Sequence, residues 1–162
     1  GKDDLAIEKF SRAMALSPDD MILPFAYSQA LFAAGKYSEA AQVLRKALDN
    51  VKPEQEGVFY PRGLYPNDDV LMSQLDKLAE YADEYSFDAD LQLLLGYQLL
   101  GIGELDKALT PLKNASLDMK NQKPADVLLN LLLKIKVTDI TSGENIEPEK
   151  AEPKEDEPNT IQ

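Results

Sequence analysis

The stretch Ala34-Gly35-Lys36-Tyr37-Ser38-Glu39-Ala40-Ala41-Gln42-Val43-Leu44-Arg45-Lys46-Ala47-Leu48, AGKYSEAAQVLRKAL, decides how the chain is read. Upstream of it, from Leu23 to Ala34, apolar residues recur at helical spacing. Gly35 then permits a left-handed backbone and lets one helix stop sharply. Ala40, Val43, Leu44, Ala47 and Leu48 fall on one face of a second helix. A related stretch, GIGELDKALTPLKNA, occupies residues 101–115. Gly35 answers to Gly103, Tyr37 to Leu105, Ala40 to Ala108, Leu44 to Leu112 and Ala47 to Ala115, so the two are separated by twice 34 residues. Gly1, Ala6, Phe10 and Ala13 fall on the same lattice one period earlier. Small residues at Ser28 and Ala40, and at Gly96 and Ala108, let two helices approach closely.

A period of 34 residues built from paired helices resembles the tetratricopeptide repeat (TPR) family. The matching features are the small residue of the first helix (Ser28, Gly96), the turn glycine (Gly35, Gly103), the bulky residue after it (Tyr37, Leu105), and the alanines and large apolar residues of the second helix. The resemblance implies an all-α fold: an antiparallel helix-pair superhelix, or α-solenoid. It places a partial unit at 1–20, units at 21–54, 55–88 and 89–122, and an end helix at 124–136.

The unit at 55–88 is degenerate. It contains Val58-Phe59-Tyr60-Pro61-Arg62-Gly63-Leu64-Tyr65-Pro66, VFYPRGLYP, in the slot of its first helix. Pro61 and Pro66 would each cost a helix interior ~3 kcal/mol. Three small contact residues have also become large: Arg62 stands where Ser28 and Gly96 do, Gln74 where Ala40 and Ala108 do, and Tyr81 where Ala47 and Ala115 do. The segment is therefore expected to form an irregular, aromatic and proline-rich strap in place of one helix, with a second helix at 69–85 capped by Asn67 or Asp68. Phe59, Tyr60, Leu64 and Tyr65 are too apolar to leave in water, since burying one such side chain stabilises by roughly 1.5–3 kcal/mol. Three destinations are open to the strap: local packing on helix 69–85, the groove of the array, or a partner chain. Asp68 and Asp69 could tie it down through Arg62.

In TPR proteins the first helices line a groove that receives a peptide or helix. Carried over by the lattice, the groove residues are Ile22, Phe25, Gln29, Phe32, Asp90, Leu93, Tyr97 and Leu100, with Phe59, Tyr60, Arg62 and Tyr65 contributed by the strap. The mixture suits an apolar peptide, an amphipathic helix or the strap itself. The functional expectation is a protein-interaction scaffold. The alternative is a structural or oligomerisation spacer of a larger protein, with its groove closed in cis by residues 55–68.

Composition narrows the chemistry. The chain has 162 residues, a formal charge of −12, and no cysteine or histidine. The usual general base and the commonest metal ligand are thus missing, and no catalytic, cofactor or metal set is expected. The acidic charge disfavours nucleic acid, and no segment has the length and apolarity of a membrane span. The end helix, PADVLLNLLLKIK, has almost no polar side and suggests self-association. Residues 137–162 read as an acidic Pro/Glu tail, with residues 142–162 disordered: residues 144–158 hold seven acidic side chains, two basic ones and three prolines. Gly1 opening on a charged stretch reads as a trimmed N-terminus, and the composition leans toward a bacterial protein of the cell envelope.

Overall fold

The computed structural model describes residues 2–52, 57–62, 65 and 67–143. Among these residues every extended element is a helix, and there is no strand. The helices are α1 (Lys2–Leu16), α2 (Leu23–Ala33), α3 (Tyr37–Asp49), α4 (Asp68–Glu84), α5 (Ala89–Gly101), α6 (Leu105–Ser116) and α7 (Gln122–Gly143).

Helix ends follow from local chemistry. The carboxylate of Asp20 accepts from the N–H groups of Ile22 and Leu23 at 2.8 and 2.9 Å, and Pro24 occupies the first turn of α2 where no donor is needed. Asn67 caps α4 by accepting from the Val70 N–H at 3.0 Å. Asp88 caps α5 through the N–H groups of Asp90 and Leu91. Gly35 and Gly103 adopt φ values of +73° and +87°. At each, the glycine N–H and the next N–H reach back to carbonyls of the finished helix, Gly35 to Phe32 and Lys36 to Leu31, Gly103 to Leu100 and Glu104 to Leu99. The two turns are the same paired C-terminal motif, as the sequence spacing implies.

These turns make two helix pairs, α2 with α3 and α5 with α6, and each has the close crossing its small residues permit. The Ser28 hydroxyl donates to the Ala40 carbonyl at 2.9 Å within the first. In the second, a methyl group added at Gly96 would meet the Leu112 side chain at 2.4 Å. Ala40, Leu44, Leu48, Ala108, Leu112 and Ala115 are fully buried. The first helix of each pair, LPFAYSQALFA and ADLQLLLGYQLLG, is apolar nearly all round. Such helices must be covered on most sides, and they are. α2 lies among α1, α3 and α4, and α5 among α3, α4, α6 and α7.

Packing order departs from chain order. A lattice running evenly through residues 55–88 would put that unit between α3 and α5. Instead α5 packs directly on α3, while α4 lies against α5 and α2. α4 buries Leu71, Leu75, Leu78 and Ala82, and the Gln92 amide of α5 donates to the Ala82 carbonyl at 3.0 Å. α7 packs on α6 and also reaches α3 and α5. It extends to Gly143, which corrects the expectation of a tail beginning at 137 and of disorder from 142. The spacing Leu133, Val137, Ile140 continues one helical face past that point, and all three side chains are exposed. The remaining tail, 144–162, lies outside the described residues.

Candidate functional site: an aromatic strap across two helices

Residues 57–61 have no regular secondary structure, and Arg62 begins a tight turn in which the Tyr65 N–H donates to the Arg62 carbonyl at 3.3 Å. The strap thus forms no α-helix over its described residues; Arg62 alone has 3₁₀ geometry. Glu56, Gly63, Leu64 and Pro66 lie outside them.

The strap seats on the shared face of α2 and α5. Phe59 meets Phe25 of α2 edge-on, with ring centroids 5.9 Å apart. Phe25 in turn stacks on Tyr97 of α5 at 6.2 Å. Tyr60 lies edge-on to Tyr97 at 5.3 Å, and Tyr65 edge-on to Phe32 at 6.4 Å. These are the offset and T-shaped arrangements that aromatic quadrupoles favour. Gly101 makes room for Tyr60: a methyl group there would stand 2.2 Å from the ring.

At the centre are two fully buried amides, Gln29 of α2 and Gln98 of α5. Gln29 Nε2 donates to Gln98 Oε1 at 3.2 Å, and Gln98 Nε2 donates to Gln29 Oε1 at 3.1 Å. The strap completes the set. Tyr65 Oη donates to Gln29 Oε1 at 2.9 Å, and Tyr60 Oη to Gln98 Oε1 at 2.8 Å. Each amide oxygen therefore accepts two bonds, which fills its capacity. The Tyr97 hydroxyl donates to the main-chain carbonyl of Phe59. Burial pushes the Tyr60 phenol up to about 12. It raises those of Tyr65 and Tyr97 further, because a phenolate there would lose its hydration. The three hydroxyls are thus neutral donors at any physiological pH.

The arrangement is a lock between two helix pairs. It presents no nucleophile beside a base, and among the described residues no three Asp, Glu, His or Cys side chains converge to hold a metal ion. No helix of the described residues is long and apolar enough to cross a membrane. Comparison with protein-family models, with curated proteins and with solved structures found no match to this chain.

The structure brings most of the sequence-derived groove residues together, but around the strap. Phe25, Gln29, Phe32, Phe59, Tyr60, Tyr65 and Tyr97 form one contiguous cluster through the contacts above. Leu93 and Leu100 are buried in the core. Three residues lie elsewhere. Ile22 sits at the start of α2, half exposed at 50%. Asp90 accepts from Arg45 of α3 at 2.9 Å and from the Asn121 amide at 2.8 Å, which joins α5 to α3 and to the entry of α7. Arg62 is exposed and pairs with Asp68 at 3.3 Å, the ion pair its position suggests. Gln98 and Gly101 escape a lattice reading. Gln98 lies one place off the register that pairs Gln29 with Tyr97. The available signal was a second glutamine, after Gln92, in a leucine-rich helix. A separate open groove of about 1340 Å³ lies between the end of α3, Gly57, Val58 and α7, with Val51, Lys123, Leu131 and Val137 among its walls.

Proposed function

We propose that this chain is a TPR-like helical-repeat module whose first-helix face is closed by its own strap and α4, and that it serves as a structural or assembly element of a larger system. The observation that carries this reading is the pair of bonds from Tyr60 and Tyr65 to Gln98 and Gln29. They place strap hydroxyls on the buried amides at the middle of the face that a groove ligand would use. The repeated turns at Gly35 and Gly103 and the matched close crossings support the repeat. The seated strap favours the closed module over an open peptide-binding scaffold.

The scaffold reading keeps one observation in its favour. Tyr97 holds the strap by a main-chain carbonyl, as a receptor holds an extended peptide. A pulldown comparing the wild type with Phe59→Ala/Tyr60→Ala/Tyr65→Ala separates the two. The closed module gives lower stability and an unchanged set of partners. Partners gained only by the triple variant would favour a groove that the strap guards.

A further inference from the structure

α4 carries a feature that the closed face does not use. Tyr81, which replaces an alanine of the repeat, packs on no helix crossing; it stays 43% exposed, and Tyr85 stays 47% exposed. Their rings lie 4.7 Å apart, and Tyr81 meets Tyr37 of α3 at 5.7 Å. Tyr37 in turn leans on the buried Phe32 at 6.0 Å. A row of rings thus runs from the core to the surface, and Phe87, two residues beyond Tyr85, is fully exposed. Between Asp76 and Tyr85 the sequence sets four carboxylates against the single amine of Lys77. Glu80 and Glu84 are exposed, and neither forms an ion pair among the described residues. The Glu84 carboxylate lies close enough to Tyr85 to raise its phenol.

We propose that Tyr37, Tyr81, Tyr85 and Phe87, with the carboxylate of Glu84 beside Tyr85 and that of Glu80 one turn before it, form a docking surface for an arginine-bearing extended segment of another protein. Aromatic faces attract a guanidinium through the ring quadrupole. Carboxylates beside them accept its planar fork in a geometry that an ammonium cannot match. The chain supplies no arginine of its own here. Its three are Arg12, Arg45 and Arg62, and they pair with Glu8, Asp90 and Asp68. The cation assigned to this surface is therefore one that a partner brings.

Titration calorimetry of the whole chain with a short alternating Arg-Ser peptide tests this, with Lys-Ser and Glu-Ser peptides of equal length beside it. The Arg-Ser peptide should bind, more tightly than Lys-Ser, and the Glu-Ser peptide should not. Tyr81→Ala/Tyr85→Ala should weaken the Arg-Ser peptide by about tenfold or more. Glu80→Gln/Glu84→Gln, which leaves the rings in place, should weaken it comparably and decides the matter if the tyrosine variant does not fold. No binding by the wild type overturns the proposal. So does equal binding of Arg-Ser and Lys-Ser that neither variant alters, because the acidic charge of the whole chain would then suffice.

Discussion

At the scale of single residues, the Gln29–Gln98 pair separates hydrogen bonds that can be lost cheaply from those that cannot. Tyr65→Phe removes one donor, but Gln29 Oε1 still accepts from Gln98. The expected loss is ~1 kcal/mol. Gln29→Leu strips a partner from Tyr65 and two from Gln98 in a buried site, and should cost ~3 kcal/mol. Urea unfolding of both variants checks the order, and a larger loss for Tyr65→Phe would contradict the lock. The glycines make a second contrast. Gly101→Ala forces a methyl group into the Tyr60 ring, which its bond to Gln98 and its contact with Tyr97 hold in place. That overpacking should cost ~1–3 kcal/mol. Gly35→Ala meets open space, yet its φ of +73° still costs ~1–2 kcal/mol. Only Gly101→Ala should also disturb the aromatic near-UV circular dichroism, since only it displaces a ring.

At the scale of elements, the helices of the two pairs were legible because their signals are local. A glycine needing φ > 0, an Asx residue before an apolar run, and leucines at 3.6-residue spacing each act within one turn of chain. The irregular strap was legible for the same reason, through Pro61 and the large residues at Arg62 and Tyr81. Its seat was not legible, because it depends on contacts between residues 36 to 38 positions apart: Tyr65 with Gln29, Tyr60 with Gln98, Tyr97 with Phe59. α7 outran its expected end because Thr138, Thr141 and Gly143 suggest a loop by composition. The helix nonetheless runs on, and both threonine hydroxyls bond back to helix carbonyls rather than competing with the helix. α4 supplies a test at this scale. Asn67→Ala removes its cap, costing ~1 kcal/mol. Because α4 closes on α2 and α5 next to the strap, amide hydrogen exchange should quicken along residues 68–72 while α6 keeps its protection.

For the molecule as a whole, the period of 34 implied the helix pairs but not the order in which they pack, since periodicity says which residues resemble each other and not which surfaces meet. Setting α5 on α3 and laying the described residues of the strap and α4 over α2 and α5 makes the two pairs one body, joined by the buried phenol of Tyr97 and the partly buried ones of Tyr60 and Tyr65. That has a consequence for pH. Tyr60, Tyr65 and Tyr97 have folded-state pKa values above the ordinary 10, with Tyr60 at about 12, chiefly through burial. The unfolded chain therefore gives up these protons first, and stability falls as pH rises through that interval. Their contribution is fully present below pH 10; that of Tyr60 drains away between 10 and 12, while those of Tyr65 and Tyr97, raised further, go on falling above that. Deprotonating lysines act in the same direction on a chain already at −12, because self-repulsion grows with net charge. The Tyr60→Phe/Tyr65→Phe variant separates the two effects: it keeps every lysine, begins less stable at neutral pH, and should lose stability less steeply above pH 10. Chemical denaturation at stepped alkaline pH, with phenolate absorbance followed alongside, should show the phenols of the lock ionising together with unfolding in the wild type. Equal slopes for the two proteins would mean that the tyrosines joining the helix pairs are not what alkali attacks.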